Sequence, residues 1–297
     1  MFETPVRRDS VITTTDRKPR DDELDVFGLT HTGKVRKENQ DHFLFCTLHK
    51  TLRVRVTSLA TPELLEIPSE RLASLFMVAD GVGRTEGGEA SRVTVETLAA
   101  YVTHTMECYY RSAAAAEQGA FLEALQGAAE ACHATVLARA RERKATRMAT
   151  TLTMCLAVWP SLYVLQVGDS RCYRFRKGEL EQLTRDQTMA QALVESGAIK
   201  QEDVARSPFR NVLASAIGST SAPELSRHEL RHGDLILLCT DGLTKHLSDE
   251  RIRDRLRAMD SCEQVCRVLV DDALEAGGSD NVTVLAARTV IKPQPVA

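Results

Sequence analysis

Apolar residues along this chain occur in short runs, and two of these runs end abruptly in an acid followed by glycine. Residues 75–79 precede Asp80, and residues 235–239 lead to Asp241. A third acid, Asp280, comes just before another apolar-rich stretch. Runs of four to eight apolar residues bounded by a breaker are typical of buried strands. The pattern therefore predicts three core strands, each with a carboxylate at its edge.

Between these runs, apolar residues recur at helical spacing and predict helices that need a flat surface to cover. The helices are expected from about residue 89, and at about 120–143, 249–258 and 262–276. Further strands are expected at 26–30, 43–46, 150–158, 162–167, 172–176, 179–183 and 281–288. This order does not alternate as a parallel sheet requires. It favours an α+β fold, a four-layer sandwich of two antiparallel β-sheets flanked by pairs of antiparallel helices.

Polar stretches set the expected domain limits. Residues 1–24 are rich in charge and poor in apolar side chains, so we expect a mobile N-terminal tail. A single folded domain is expected over 25–290, followed by a C-terminal tail at 291–297. Within the domain, 47–70 is predicted as a hairpin or an irregular insertion, and 184–211 as a surface lobe with its own small helix.

Composition excludes several classes of protein. The chain is 43% hydrophobic and 27% charged, as in ordinary globular proteins, and its net charge of -3 gives no basic field for nucleic acid or an anionic membrane. No apolar run has the length of a membrane span, so we expect a cytoplasmic protein. The eight cysteines are scattered and are expected to be reduced core thiols. Cys262 and Cys266 would share a helix face, but a redox or metal role for them is not favoured.

The acids at the strand edges suggest metal chemistry. A buried carboxylate needs a partner, and Mg²⁺ or Mn²⁺ prefers several carboxylates with retained waters. Asp80, Asp241 and Asp280 would supply the anions, and the peptide oxygen of Gly81 a further ligand. Arg36 would clamp a phosphate through its planar fork. Taken singly, each Asp-Gly pair is more often only a turn. Their repetition instead predicts a metal-dependent phosphate hydrolase.

Seven short motifs, taken together in this order, resemble those of PP2C-type (PPM) Ser/Thr protein phosphatases in their bacterial form. The resemblance covers about residues 25–290. The motifs are Arg36–Asp41, Asp80–Gly83, Gly87–Ser91, Thr150–Leu152, Gly168–Arg171, Thr240–Leu243 and Ser279–Thr283. Their order and spacing are highly specific to that family. The resemblance implies an αββα sandwich with a cluster of Mg²⁺ or Mn²⁺ ions at one end.

The resemblance also implies a ligand set. Asp80, Asp241 and Asp280 would bind the first metal, and Asp80 with the carbonyl of Gly81 would be shared with the second. Asp169, together with Asp241, would bind a third and weaker ion. The implied cofactors are therefore two Mn²⁺ or Mg²⁺ ions and this third one.

Roles in catalysis follow from the same motifs. Arg36 would grip the substrate phosphate, Asp41 would hold metal-bound waters, and Asn281 would order the loop behind Asp280. Residues 187–212 would form the flap that affects substrate choice in the family. The expected catalytic residues are Arg36, Asp41, Asp80 and Asp241.

The implied activity is hydrolysis of phosphoserine and phosphothreonine in proteins, by a metal-bridging hydroxide that attacks phosphorus in line. The partners would be phosphorylated proteins, with a Ser/Thr kinase and its substrates as the usual counterparts. The alternative is a catalytically weak PP2C-like module that regulates or binds phosphoproteins. Haloacid-dehalogenase, kinase and EF-hand patterns are not matched.

Departures from the family pattern qualify this interpretation. Gln40 stands where a glutamate reaches the second metal through its waters, so weaker metal binding is expected. Val82 replaces a histidine proposed as general acid in some eukaryotic members. His42 lies nearby in sequence, but a lone histidine beside a strand is more often structural. Arg84, at a common glycine position, is either a second phosphate-facing cation or a solvated side chain.

Overall fold

A computed structural model of the protein describes residues 17–49, 71–83, 85–105 and 118–290. These residues form eleven strands and six α-helices. The strands are β1 Leu24–His31, β2 Asp41–His49, β3 Arg71–Val82, β4 Ala149–Thr150, β5 Leu152–Val158, β6 Ser161–Val167, β7 Arg171–Arg176, β8 Glu179–Gln182, β9 Glu224–Glu229, β10 Leu235–Cys239 and β11 Val282–Thr289. The helices are α1 Gly87–Thr105, α2 Gln118–Arg143, α3 Met189–Glu195, α4 Asp241–Thr244, α5 Asp249–Arg257 and α6 Cys262–Glu275.

The strands form two antiparallel sheets. One has the order β1-β11-β10-β7-β8, and the other has the order β2-β3-β5-β6-β9, with the short β4 paired to the end of β3. Helices α1 and α2 cover the outer face of the second sheet, while α5 and α6 cover the first. The predicted four-layer sandwich is therefore confirmed.

Strand β3 shows why the apolar run has no polar alternation. Successive side chains of a strand point to opposite faces. Phe76 and Val78 face the other sheet, and Leu75, Met77 and Ala79 lie beneath the helices. Because both faces of the strand are covered, every position of the run is apolar.

Several helices begin at a side-chain cap of the kind that the sequence contains. Thr188 accepts a hydrogen bond from the backbone N–H of residue 191, and Ser248 and Ser261 cap α5 and α6 in the same way. Within α6, Cys262 and Cys266 face β1, and their thiols donate to the backbone carbonyls of Asp25 and Phe27. These two thiols are core residues, as expected.

The expected domain limits differ from the structure at the N-terminal side. Residues 17–24 fall in the predicted mobile tail, yet Arg17 bonds Glu23 and Arg71 bonds Asp21, ahead of a strand that begins at Leu24. The Arg17 hydrogen bond lowers the pKa of Glu23 to about 2, against the effect of burial. Residues 1–16, most of the predicted insertion at 47–70, and the C-terminal tail at 291–297 lie outside the described residues. Among the helices of the described part, none is long and apolar enough to cross a membrane.

Candidate metal centre

The acids singled out in the sequence meet at one end of the sandwich. Asp41 begins β2 and lies opposite Asp80 of β3 in the strand register. From the other sheet, Asp241 follows β10 as the first residue of α4, and Asp280 lies two residues before β11 begins. A cleft of about 1830 Å³ opens here, and Asp80, Asp169, Asp241 and Asp280 line it.

Asp41 lies beneath the cleft and is almost fully buried. Its Oδ2 accepts hydrogen bonds from the hydroxyls of Thr240 (2.8 Å) and Thr283 (2.7 Å), while its Oδ1 has no partner among the described residues. Burial raises the pKa of Asp41 to about 6, although the two threonine hydroxyls oppose this shift. The carboxylate therefore has one fixed oxygen and one free buried oxygen.

Asp80 is held by its backbone. Its N–H donates to the hydroxyl of Thr151 (3.0 Å), and its carbonyl accepts from the N–H of Thr151 (2.9 Å) and the hydroxyl of Thr150 (2.8 Å). Burial, followed by the charges of Asp41 and the neighbouring acids, raises the pKa of Asp80 well above its ordinary value. An acid in this position is stable as an anion only beside a cation.

Asp241 and Asp280 share a cation that the sequence analysis did not include. Lys245 Nζ lies 2.5 Å from Asp241 Oδ2 and 2.7 Å from Asp280 Oδ2. Burial raises the pKa of Asp241, with Lys245 opposing that shift. Burial acts in the same direction on Asp280, but hydrogen bonds from Arg36 and Lys245 hold its pKa below the ordinary value. These two acids thus already bind positive charge.

Asp169 lies in the tight turn between β6 and β7 and is buried. The turn is fixed because Gln187 accepts from the N–H of Gly168 (2.8 Å) and donates its own N–H to the carbonyl of that residue (3.0 Å). Burial, followed by the charge of Asp241, raises the pKa of Asp169 to about 8. Asp169 therefore adds a further acid to the same cluster.

Arg36 lies in the loop between β1 and β2, at the cleft mouth. Its Nε is 2.7 Å from Asp280 Oδ1, and its Nη2 is 2.9 Å from Asp280 Oδ2, with 56% of the side chain exposed. Asn281 fastens this loop, since its Nδ2 donates to the carbonyls of Thr32 (2.8 Å) and Glu38 (2.9 Å). The side chain of Asn281 thus orders the loop that carries Arg36, where the sequence analysis expected it to order the loop behind Asp280.

Glycines allow the helix α1 to approach the acids closely. A Cβ on Gly81 would lie 2.3 Å from the backbone of Gly87, and a Cβ on Gly87 would lie 2.7 Å from Oε1 of Gln40. The Gln40 carbonyl accepts from the N–H of Gly81 (3.2 Å), and its N–H donates to Asn281 Oδ1 (2.9 Å). Gln40 therefore lies against the start of α1, beside Gly81, the residue whose carbonyl is expected to bind a metal ion.

The remaining candidates fall outside the centre. The Nδ1 of His42 is 2.8 Å from the hydroxyl of Ser91, and burial lowers the pKa of this histidine. Ser91 in turn donates to the carbonyl of Gln40 (2.6 Å), so His42 supports the loop. Val82 is 37% exposed and lines the cleft without a titratable group. Arg84 lies outside the described residues.

The donor set fits divalent cations that prefer oxygen. Within the part of the chain that the structure describes, Asp41 and Asp241 each keep a buried Oδ1 without a hydrogen bond, and the pKa values of Asp41, Asp80, Asp169 and Asp241 are all raised. Hard cations reverse that penalty because they stabilise the charged form. Among the described residues, no group of three or more His, Cys, Asp or Glu side chains stands as a ready-made metal site. The cluster would therefore bind ions with water completing their shells, as Mg²⁺ usually does.

Three supporting residues had no role assigned from the sequence, although two of them, Thr240 and Thr283, belong to the motifs that resemble the family. Thr240 and Thr283 hold Asp41 across separations of 199 and 242 residues, which no local pattern reveals. Lys245 follows Asp241 by four residues, the spacing of neighbours on a helix, and that signal was available.

A family model described as Protein phosphatase 2C matches residues 67–277 of the chain. The chain belongs to the protein phosphatase 2C family. Among relatives, the Serine/threonine protein phosphatase PstP of Mycobacterium tuberculosis is 36% identical over 220 residues, which are 73% of this chain and 41% of that protein. The chain thus matches about two fifths of the length of this curated relative.

Solved structures of protein phosphatase 2C relatives support the fold. The crystal structure of the Mycobacterium tuberculosis phosphatase PstP/Ppp is 30% identical, with a TM-score of 0.71, and the match covers 90% of this chain and 99% of that one. A structure of the PstP catalytic domain in complex with two manganese ions is 28% identical, with a TM-score of 0.68 and the same coverage. That relative binds two manganese ions in a fold that this chain shares.

Proposed function

We propose that the chain is a Mn²⁺- or Mg²⁺-dependent phosphatase that hydrolyses phosphoserine and phosphothreonine in proteins. The observation that carries this proposal is the group of five acids at one cleft, of which four have raised pKa values and two keep a free buried oxygen. Family membership, and a relative with two manganese ions, support the same conclusion.

Asp80, Asp241 and Asp280 would hold the first cation, and Asp80 with the carbonyl of Gly81 the second. Asp169 with Asp241 would hold a third and weaker one. Bound at this site, the cations would supply Lewis acidity and lower the pKa of a water for attack at phosphorus. Asp41 keeps Oδ1 free toward such waters, since two threonines hold its other oxygen. Gln40 would orient water as a neutral amide.

Arg36 would bind the phosphate of the substrate. In its ion pair with Asp280 the arginine side chain is 56% exposed, although that of Asp280 is only 14% exposed. Lys245 also pairs with Asp280, so the guanidinium can turn toward solvent without leaving this acid unpaired and can form a bidentate contact with phosphate oxygens. We further propose that the substrates include a Ser/Thr kinase and the proteins that it phosphorylates.

The test is hydrolysis of p-nitrophenyl phosphate and of a phosphothreonine peptide with Mn²⁺ present and with EDTA. We expect Mn²⁺-dependent turnover that Asp241→Asn reduces by about 10³-fold or more, because a ligand to the cations is lost. Asp260→Asn, at an exposed acid that does not line the cleft, is the matched control and should retain full activity. Phosphopeptide binding by the Mn²⁺-loaded wild type without any turnover would favour the regulatory module instead.

A further inference from the structure

One wall of the cleft is basic. Arg141, Lys144 and Arg147 line it where α2 ends and the chain returns to β4. All three side chains are exposed, and within the described residues none of them forms an ion pair. We call these three residues the basic edge.

The basic edge begins on the face of α2 that lines the cleft and continues just after the helix ends. Leu137, Ala140 and Arg141 line the cleft at spacings of three and one, which is one face of α2, and Lys144, the residue after the helix, lines the cleft as well. The edge therefore continues an apolar stripe that already faces the cleft.

The other cations at this end of α2 point elsewhere. Arg139 and Arg143 lie 3.7 and 3.3 Å from Oε1 of Glu89, on α1. Acids of the same chain therefore balance their charge, whereas Arg141 and Lys144 pair with no acid in the part of the chain that the structure describes. The dipole of α2 accounts for Arg141 alone, which lies in the last turn of the helix. Cations near a helix C-terminus stabilise its dipole only within the last turn. Lys144 follows the helix with φ of 54°, and Arg147 is three residues further on.

Acids across the cleft do not neutralise the edge. Glu38 and Glu86 are the lining acids outside the metal centre, and neither forms an ion pair with the basic edge in the described part of the chain. The edge thus offers positive charge to a molecule that enters the cleft.

The strand register gives the separation between the edge and the acids. Gly81 pairs with Thr150, and a Cβ on Gly83 would lie 2.8 Å from the carbonyl oxygen of Arg147. Gly83 is three residue steps from Asp80, which at about 3.3 Å each places the backbone of Arg147 roughly 10 Å from Asp80 along the strand. An extended peptide covers that distance, and the width of one strand, in about three or four residues.

We propose that the basic edge binds acidic side chains of the substrate, three or four residues from the phosphorylated serine or threonine. This rests on the proposed phosphatase function and adds a substrate class to it. Phosphate would lie at the metal centre beside Arg36, while Asp or Glu further along the peptide would lie against Arg141, Lys144 and Arg147.

The experiment compares phosphothreonine peptides with Glu, Ala or Lys at positions −4, −3, +3 and +4. For wild type with Mn²⁺, we expect kcat/KM to be about three- to tenfold higher for the Glu peptides than for the Lys peptides on one side of the phosphothreonine. The preference should act mainly on KM and should shrink at high salt, because exposed charges are screened.

The variant is the triple charge reversal Arg141→Glu, Lys144→Glu and Arg147→Glu. It should reverse the peptide preference and leave the hydrolysis of p-nitrophenyl phosphate unchanged, since that substrate does not reach the edge. The control reverses three exposed cations that line neither the cleft nor the flap at 187–212, Lys177→Glu, Arg231→Glu and Arg257→Glu, and matches the change in net charge. It should keep the wild-type preference.

The proposal is overturned if wild type does not distinguish Glu from Lys peptides, or if both triple variants shift the preference equally. Absence of p-nitrophenyl phosphate turnover by the Mn²⁺-loaded wild type would contradict the proposed function alone. In that case, fluorescence anisotropy of labelled phosphopeptides tests the basic edge separately. If wild type binds Glu peptides more tightly than Lys peptides and the triple charge reversal of the basic edge abolishes this difference, the proposal is supported. If wild type binds both peptides equally, the proposal is overturned.

Discussion

The residue that depends most on distant parts of the chain is Asp41. Two threonine hydroxyls fix its Oδ2, and the hydroxyl of Thr283 is also 2.7 Å from that of Thr30, which accepts from Asn39 (2.8 Å). A hydrogen-bonded chain therefore runs from the loop of Arg36 to the buried acid. Replacing one end of such a chain leaves a buried polar group without a partner.

We expect Thr283→Val to lower the free energy of unfolding by about 1–3 kcal/mol, because Asp41 loses a donor in a buried site. The valine has nearly the same shape, so a cavity does not account for the loss. Urea denaturation in EDTA measures the change. Thr283→Ser keeps the hydroxyl and should recover most of the stability, whereas a serine variant as unstable as the valine variant would point to packing of the methyl group.

Lys245 leads to a prediction about metal affinity. Its ammonium is bonded to Asp241 and Asp280, and a cation that binds there must share or displace it. We expect Lys245→Met to tighten Mn²⁺ binding by about tenfold, since removal of a unit charge at about 4 Å is worth roughly 1–4 kcal/mol. Isothermal titration calorimetry measures the Kd. Lys245→Arg keeps the charge and should bind Mn²⁺ like wild type. Unchanged affinity in Lys245→Met would mean that the lysine does not compete with the ion.

At the scale of elements, the sequence predicted those strands and helices that a run or a regular spacing of apolar residues marks. The strand that carries Asp80 and the strand before Asp241 were placed correctly, because both are covered on two faces, but the first continues beyond Asp80 to Val82. The edge strand β9 was missed, since its residues are half-buried or exposed and are mostly polar. Helix α4 was missed as well, because four residues are too few to show a helical period.

Close packing between β3 and α1 gives a prediction about elements. Gly81→Ala places a methyl group 2.3 Å from the backbone of Gly87, and backbone can yield only by moving α1 away from the acids. We expect a loss of more than about 3 kcal/mol in stability, together with loss of Mn²⁺ binding. Thermal unfolding and calorimetry provide the measurements.

Gly119→Ala is the matched control for this substitution. Among the described residues, nothing lies within 4 Å of a Cβ at Gly119 in α2, so alanine should be neutral or stabilising by up to about 1 kcal/mol. Wild-type stability in Gly81→Ala would show that the contact between β3 and α1 is loose, against the packing described above.

At the scale of the whole molecule, two sheets bring together acids that are up to 239 residues apart, from Asp41 to Asp280. The sequence predicted the identity of these acids because each lies at a strand edge and matches a family motif. It could not predict how their charge is balanced, since that depends on Lys245, the threonines and the depth of the cleft. Burial of several acids at one end also makes the stability of the protein depend on pH and on metal.

The clearest consequence of this burial concerns Asp169, whose pKa is raised to about 8 in the folded protein, against about 4 in an unfolded chain. Below about pH 4, both states are protonated, and the stabilising contribution of the raised pKa is fully present. As pH rises through about 8, the contribution is lost, because the unfolded state ionises first and the folded state then carries a buried charge.

Asp169→Asn removes the titrating group. In EDTA, the difference in Tm between this variant and wild type should therefore grow by several degrees in favour of the variant from pH 5 to pH 9. With saturating Mn²⁺ the growth should be smaller, because the cations stabilise the ionised carboxylates. A difference that stays constant with pH in EDTA would show that Asp169 titrates normally and that the acids are better hydrated than their burial implies.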